Sequence, residues 1–317
     1  MKSLNNQLIK KCLIMLTLGG AVLFSSCKKD EDEMTQQNTI VDIVASNGSF
    51  SLLRAALMHA GLTDALSANG SFTVFAPGND AFIAAGLDSE AKIKAVPVES
   101  LKKILLYHVL GQQVPSSAIQ TGSNTSVNTL AELNVFITKN ASGVFVNGAN
   151  VLQADIVASN GVIHVINAVL MPPTGNIVET AQANPNFTFL VAAVLRASEG
   201  GTNVAQVLSG AGPLTVFAPT NEAFINAGFA NVEAIKAADP AVLTSILTYH
   251  VISARVFSSD LTEGAQPATV NGATLTVTLN GGAKVKGNKN TTASVISAAN
   301  MVTSNGVIHV IDQVLLP

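Results

Sequence analysis

The sequence predicts an α+β fold written twice in tandem, and three observations carry that prediction. The octapeptide Ser159-Asn160-Gly161-Val162-Ile163-His164-Val165-Ile166 returns unchanged as Ser304-Asn305-Gly306-Val307-Ile308-His309-Val310-Ile311. Two earlier motifs return in the same order at a constant offset of 142 residues (73 to 215): Thr73-Val74-Phe75-Ala76-Pro77 as Thr215-Val216-Phe217-Ala218-Pro219, and Tyr107-His108-Val109 as Tyr249-His250-Val251. Within each half, helical periodicity comes first and strand alternation later, without the regular alternation of a doubly wound sheet. A period of about 140 residues is the size of a domain, not of a solenoid repeat.

The chain begins with a leader. Lys2, Lys10 and Lys11 form a positive segment, Cys12 to Phe24 is apolar, and small Ser25 and Ser26 precede Cys27. Residues 1–26 read as a secretory signal, too short in its apolar part for a bilayer span. Two readings of Cys27 stay open: an incidental cysteine after an ordinary signal, or the lipidated first residue of a bacterial lipoprotein. The second is preferred, because Leu23-Phe24-Ser25-Ser26-Cys27 resembles a lipobox in the looser form common in Bacteroidetes, with Phe24 where the stricter pattern has Leu. Acyl chains would anchor the protein at about 0.8 kcal/mol per buried methylene, and two or more are needed for stable attachment. Residues 27–38, with Lys28-Lys29-Asp30-Glu31-Asp32-Glu33, read as a solvated linker. The acidic run also resembles the signal that exports such lipoproteins to the cell surface, with retention facing the periplasm as the alternative. Cys12 leaves with the leader, so the processed chain holds no internal disulfide and must rely on its core.

In the first half (39–172), Ser51 to His59 reads as an apolar helix, followed by a strand at Phe72 to Phe75 that the proline of Ala-Pro should end. Asn79-Asp80 should open a helix by side-chain capping and favourable charge. From Val98 to Leu110, Leu101, Ile104, Leu105, His108 and Val109 fall on one helical face. Strands are expected at Val135 to Thr138, Phe145-Val146 and Val162 to Ile166, the last fed by a turn at Asn160-Gly161. His164 should oppose the apolar set of that strand. Pro172-Pro173-Thr174-Gly175 is a short, stiff connection. The second half (175–317) repeats the scheme, with a helix at Phe187 to Arg196, a strand at Leu214 to Phe217, Asn221-Glu222 opening the next helix, Asp239 capping the helix that starts at Pro240, and strands at Thr274 to Leu279 and Val307 to Ile311.

Hydrophobic residues make up 48% of the chain and charged ones 12%, which describes globular domains with weakly charged surfaces. The formal charge is −3, and loss of the leader lysines makes it more negative, so nucleic acid is not an expected partner. Trp is absent and Tyr occurs twice, which weakens an aromatic sugar-stacking platform. No nucleophile elbow, P-loop, His-Glu-x-x-His pair or dinucleotide fingerprint is present, so no catalytic residue, cofactor or metal is expected. The repeated histidines at 108/250 and 164/309 read as structural rather than as ligands.

Taken together, the Thr-Val-Phe-Ala-Pro segment, the Tyr-His pair after a helix, and Ser-Asn-Gly-Val-Ile-His-Val-Ile with a final Leu-Leu-Pro resemble the fasciclin (FAS1) domain, twice over. The resemblance implies a wedge of β-strands with a layer of α-helices, and extracellular attachment without a general catalytic activity. In animal matrix proteins of that family, a Tyr-His pair and a short Asp-Ile segment are implicated in integrin binding. Carried over by position, these give Tyr107, His108, Asp155, Ile156, Tyr249 and His250 as candidate binding residues. The second half has Asn300-Met301 in place of Asp155-Ile156, so an acidic contact is not expected there. The resulting expectation is an outer-membrane lipoprotein exposed on the cell surface, touching the membrane through its anchor and binding an extracellular protein or polysaccharide. An accessory glycan-binding role beside a nutrient importer is the alternative, and a hydrolase the weakest. Replacing the anchor residue, Cys27→Ser, should abolish incorporation of a labelled palmitate analogue and release the protein from membranes; unchanged labelling would place the lipid elsewhere.

Overall fold

Polar residues at the helix starts set the boundaries of the first layer. The computed structural model describes residues 38–317; the leader, Cys27 and the linker up to residue 37 lie outside the described residues. Thr39 and Asp42 form a reciprocal capping box on α1 (Ile40–Ser46). There follow α2 (Ser51–His59), α3 (Thr63–Ser67), β1 (Phe72–Pro77), α4 (Asn79–Ala84), α5 (Glu90–Ala95) and α6 (Val98–Tyr107). The chain then turns to strands: β2 (Val109–Leu110), β3 (Gly122–Asn128), β4 (Asn134–Asn140), β5 (Gly143–Val146), β6 (Ala149–Ala158) and β7 (Gly161–Ile166).

The second half repeats this as α7 (Ile177–Gln182), α8 (Thr188–Ala197), α9 (Val204–Ser209), β8 (Leu214–Pro219), α10 (Asn221–Asn226), α11 (Val232–Ala237) and α12 (Pro240–Tyr249). Its strands are β9 (Val251–Ile252), β10 (Thr276–Thr278), β11 (Lys284–Lys286), β12 (Ser294–Thr303) and β13 (Gly306–Ile311). The sheet orders are β2-β1-β7-β6-β5-β4-β3 and β10-β11-β12-β13-β8-β9. This is the α+β architecture the sequence predicts.

One strand in from the edge of each sheet the early strand pairs parallel with the closing one, Phe72 to Pro77 against Gly161 to Ile166 and Leu214 to Pro219 against Gly306 to Ile311. A parallel pair needs cover on both faces, and each half supplies two cores. Val74, Ala76 and Ile163 pack under the helices with Leu53, Leu101 and Leu105. Phe75 and Ile166 point the other way, into the wedge, where they meet Tyr107, Val135, Ile137 and Val146. The second half divides in the same manner, with Val216 and Ile308 under the helices and Phe217 and Ile311 in the wedge.

Several local expectations are corrected by this packing. The strands do end at Ala-Pro, but they run two residues beyond Phe75 and Phe217, and Pro77 and Pro219 are the last paired residues, opposite Ile166 and Ile311. The helix read through Leu110 stops at Tyr107, and Val109 and Leu110 pair with β1 instead. Asn79 and Asn221 do not cap the helices they begin, since Gly78 and Thr220 occupy those caps. Their side chains cap the neighbouring helix: Leu52 N–H donates to Asn79 Oδ1 at 3.1 Å and Phe189 N–H to Asn221 Oδ1 at 3.0 Å. His164 and His309 do oppose Ile163 and Ile308, but they enter the buried wedge rather than solvent.

The repeated octamer now has a physical reason residue by residue. A Cβ on Gly161 would fall well inside van der Waals contact of the Phe72 carbonyl oxygen, and one on Gly306 would meet that of Leu214. Asn160 is buried; its Oδ1 accepts from Ile40 N–H at 3.0 Å, and its Nδ2 donates to the carbonyls of Leu66 at 2.7 Å and Ala68 at 2.9 Å. Asn305 does the same for Ile177, Leu208 and Gly210. One amide thus ties the start of the first helix and the end of the third to the parallel strand pair. Orphaning those buried backbone groups costs about 1–3 kcal/mol each. Asn160→Ala should therefore lower unfolding stability by roughly 2–4 kcal/mol in chemical denaturation, and a loss below about 0.5 kcal/mol would refute this role.

Candidate functional site

Four of the six candidate binding residues lie in the interior, which corrects their assignment as contact residues. Tyr107 and Tyr249 are 0% exposed, and His108 and His250 are 2% and 1% exposed. Each pair closes its domain. Tyr107 Oη donates to Asn134 O at 2.9 Å and accepts from Asn147 Nδ2 at 3.0 Å, tying the end of α6 to the β4–β5 hairpin. Burial pushes its phenol up to about 12. Tyr249 Oη donates to Thr274 O at 2.7 Å and accepts from Asn288 N–H at 3.1 Å.

The histidines cap their helices and clasp the outgoing chain. His108 Nδ1–H donates to Ile104 O at 2.7 Å, while Nε2 accepts from Leu170 N–H at 2.8 Å. His250 repeats this with Ile246 O at 2.8 Å and Leu315 N–H at 2.9 Å. An acceptor nitrogen facing a backbone N–H fixes the neutral tautomer, and burial holds both imidazoles down at about 4.

Asp155 and Ile156 stand elsewhere, on a bulge of β6 where the register against β7 shifts between Gln153 and Ile156. Asp155 is exposed and has φ +61, a left-handed conformation that Asp and Asn tolerate better than most residues. Its carboxylate accepts from Ser116 N–H at 2.8 Å and from the Ser116 hydroxyl, and these bonds hold it below the usual carboxylate range. Its own N–H donates to His164 Nδ1 at 3.2 Å, and His164 Nε2 donates to Val114 O at 2.9 Å. Thr73 completes the clamp, donating to Gln112 O at 2.7 Å and accepting from Val114 N–H at 2.8 Å.

The Thr of Thr-Val-Phe-Ala-Pro and the His of the octamer thus act together, fixing the loop at 112–116 against the bulge. Ser116, His164 and Asp155 are neighbours, but the Ser hydroxyl is held by the carboxylate and the imidazole is buried, so the arrangement presents no free nucleophile–base pair. What it presents is a rigid surface. Leu152 and Val157, 63% and 64% exposed, belong to the same strand.

In the second domain the equivalent clamp survives loss of the acid. Asn300 has φ +64, accepts from Ser258 N–H at 2.8 Å and donates to Ser258 Oγ at 2.8 Å. Here the surface is engaged. The loop from Arg255 to Asp260 docks on β3 and β4 of the first domain: Arg255 lies 4.0 Å from the Phe136 ring centroid, and Phe257 packs 6.2 Å from it. Thr138 Oγ1 donates to Asp260 Oδ1 at 3.0 Å, and Asn124 Nδ2 donates to Arg255 O at 2.8 Å. Asn300 also abuts Gly148 across the junction.

The first domain carries Gln113, Pro115 and Ala118 where the second has Arg255, Phe257 and Asp260. Divergence between the copies marks the middle loops around 115–130 and 257–270 in the sequence, without singling out these docking residues. Their signal was available as charged or aromatic departures from the first copy in a loop that keeps Val256, Ser258 and Ser259.

Among the described residues no group of three or more His, Cys, Asp or Glu side chains is arranged to hold a metal. Comparison with known proteins adds the family. A profile described as the fasciclin domain matches residues 48–172 and 185–317. Protein sll1483 of Synechocystis sp. is 45% identical over 136 residues, 43% of this chain and 74% of its own length. Transforming growth factor-beta-induced protein ig-h3 of Sus scrofa is 32% identical over 252 residues, 78% of this chain but only 35% of its own length. A solved FAS1 domain pair from the insect cell adhesion molecule fasciclin I covers 86% of this chain and 98% of that one, at 19% identity and a TM-score of 0.42.

The two clasp histidines make stability depend on pH in a defined sense. Their folded values near 4 lie below the unfolded value of 6.5, so the unfolded chain binds protons first. The stabilisation is complete above pH 6.5 and is lost as pH falls toward 4, by up to roughly 3 kcal/mol per histidine. His108→Gln should flatten the stability profile of the first domain across that window in denaturant titrations. An unchanged slope would show that His108 is not the responsible group.

Proposed function

Because the chain belongs to the fasciclin domain family, we propose that it is a non-enzymatic adhesion or interaction protein of the cell surface. It is held at the outer membrane by acyl chains on Cys27 and binds an extracellular protein or polysaccharide. The family's character as adhesion and matrix-interacting proteins supports the general role. One observation carries the choice of surface: the loop-and-bulge face occurs twice, engaged in the domain junction in the second copy and open in the first. Asp155, held by Ser116, offers a fixed negative charge on a strand that also exposes Leu152 and Val157. Tyr107, His108, Tyr249 and His250 act from beneath by holding the domains in shape, and Ile156 is half-buried under the bulge. No cofactor, metal or nucleic acid enters the proposal.

The second reading, an accessory glycan-binding lipoprotein beside a nutrient importer, is favoured by a different observation. A cleft of about 690 Å³ at the domain junction has no charged side chain in its wall, and among apolar residues such as Val169, Met171 and Met301 it carries Asn147, Asn167, Thr174, Ser258 and Asn300. Amides and hydroxyls suit a neutral polar chain.

Attachment assays separate the two. A strain carrying Leu152→Ser with Asp155→Ala should lose most attachment to matrix or neighbouring cells while keeping growth on polysaccharides. Unchanged attachment with lost growth on one polysaccharide would overturn the adhesion reading in favour of the glycan reading. Protease added to intact cells should remove the protein, and full protection would sink the surface assignment.

A further inference from the structure

Beneath the helices of the second domain lies a cavity of about 70 Å³. Its wall includes Ile177, Leu190, Leu208, Val216, Leu247 and Ile308, all buried and aliphatic. A void needs only about 10–15 Å³ to hold one water, but that water needs two to four polar partners. The polar side chains in the wall are Gln182 and His250. Both ring nitrogens of His250 are already committed, to Ile246 O and Leu315 N–H, and Gln182 lies at the exposed rim. The space is several times that of a water and offers no hydrogen bonds inside, which is the condition under which apolar molecules enter instead.

The internal repeat shows where the space comes from. In this region the halves correspond at an offset of 137 residues (40 to 177), fixed by the matching bonds from Asn160 to Ile40 and from Asn305 to Ile177. Val44 and Leu57 fill the first core where the second has Ala181 and Val194. Both changes remove methyl or methylene groups facing the same volume, and surrounding structure closes such voids only in part. The rim lies between α7 and α8, where Leu195 is 56% exposed beside Gln182. No charged side chain and no Phe, Tyr or Trp ring borders the cavity.

We propose that this cavity binds the end of a straight alkyl chain, entering between α7 and α8 with its polar head left in solvent at Gln182. The inference goes beyond the attachment reading and stands without it. Its ligand could be a free fatty alcohol or acid, or the tail of a membrane lipid, and the test separates these sources.

Isothermal titration of the purified protein with 1-decanol should show saturable binding. The double variant Ala181→Val with Val194→Leu, which installs the side chains of the first domain, should weaken that binding at least tenfold while the melting temperature holds or rises. Should the pair disturb folding, Ala181→Val alone should weaken binding measurably. The converse variant, Val44→Ala with Leu57→Val, should gain a second decanol site. Uptake of fluorescent acyl lipid from phosphatidylcholine vesicles would assign a membrane source, and decanol binding without such uptake a soluble one. Absence of saturable binding, or equal affinity in the filled variants, would overturn the proposal.

Discussion

The parallel pairing of an early strand with the last one is the constraint on which the rest of each domain depends. It joins residues nearly ninety positions apart in the first half, Phe72 with Gly161, and does so through a backbone approach that leaves no room for a side chain. A parallel pair must be covered on both faces. The helices cover one, and the wedge of later strands covers the other. The asparagine before each glycine binds the helical layer to the same point, so helix positions and strand register are set together.

Around that pair, residues that carry chemistry elsewhere serve here to satisfy buried backbone. His108 and His250 each use one nitrogen as donor and one as acceptor, which only the neutral ring can do. Removing such a partner leaves a buried polar group alone, and that penalty exceeds the modest net gain of the bond itself. This explains why four of the five histidines stand at matched positions in both halves without forming a site for ligands.

Duplication then allowed the two halves to diverge where the scaffold tolerates it. Thr73 with His164, and Thr215 with His309, hold equivalent loops. The second loop, carrying Arg255, Phe257 and Asp260, docks on the first domain; the first, with Gln113, Pro115 and Ala118, stays open. Asp155 and Asn300 show the same division: one left-handed bulge residue, one serine partner, and a charge only on the copy that faces solvent.

The sequence by itself determined the duplication, the α+β class, the family and most helix and strand positions, because apolar periodicity and repeated motifs are local records of burial. The family resemblance pointed to Asp155-Ile156, but the bulge that carries them is visible only in the structure. Only the tertiary structure decided that Tyr107, His108, Tyr249 and His250 are interior, because a polar ring on an apolar face reads identically whether its partners are protein backbone or an outside molecule. It alone showed Asn79 and Asn221 capping the helix beside their own, a bond that spans 27 residues in one case and 32 in the other. The junction built by Arg255, Phe136 and Asp260, and the void left at Ala181 and Val194, arise between segments far apart in the chain. Contacts of that kind depend on where the backbone brings side chains together, which no local pattern records.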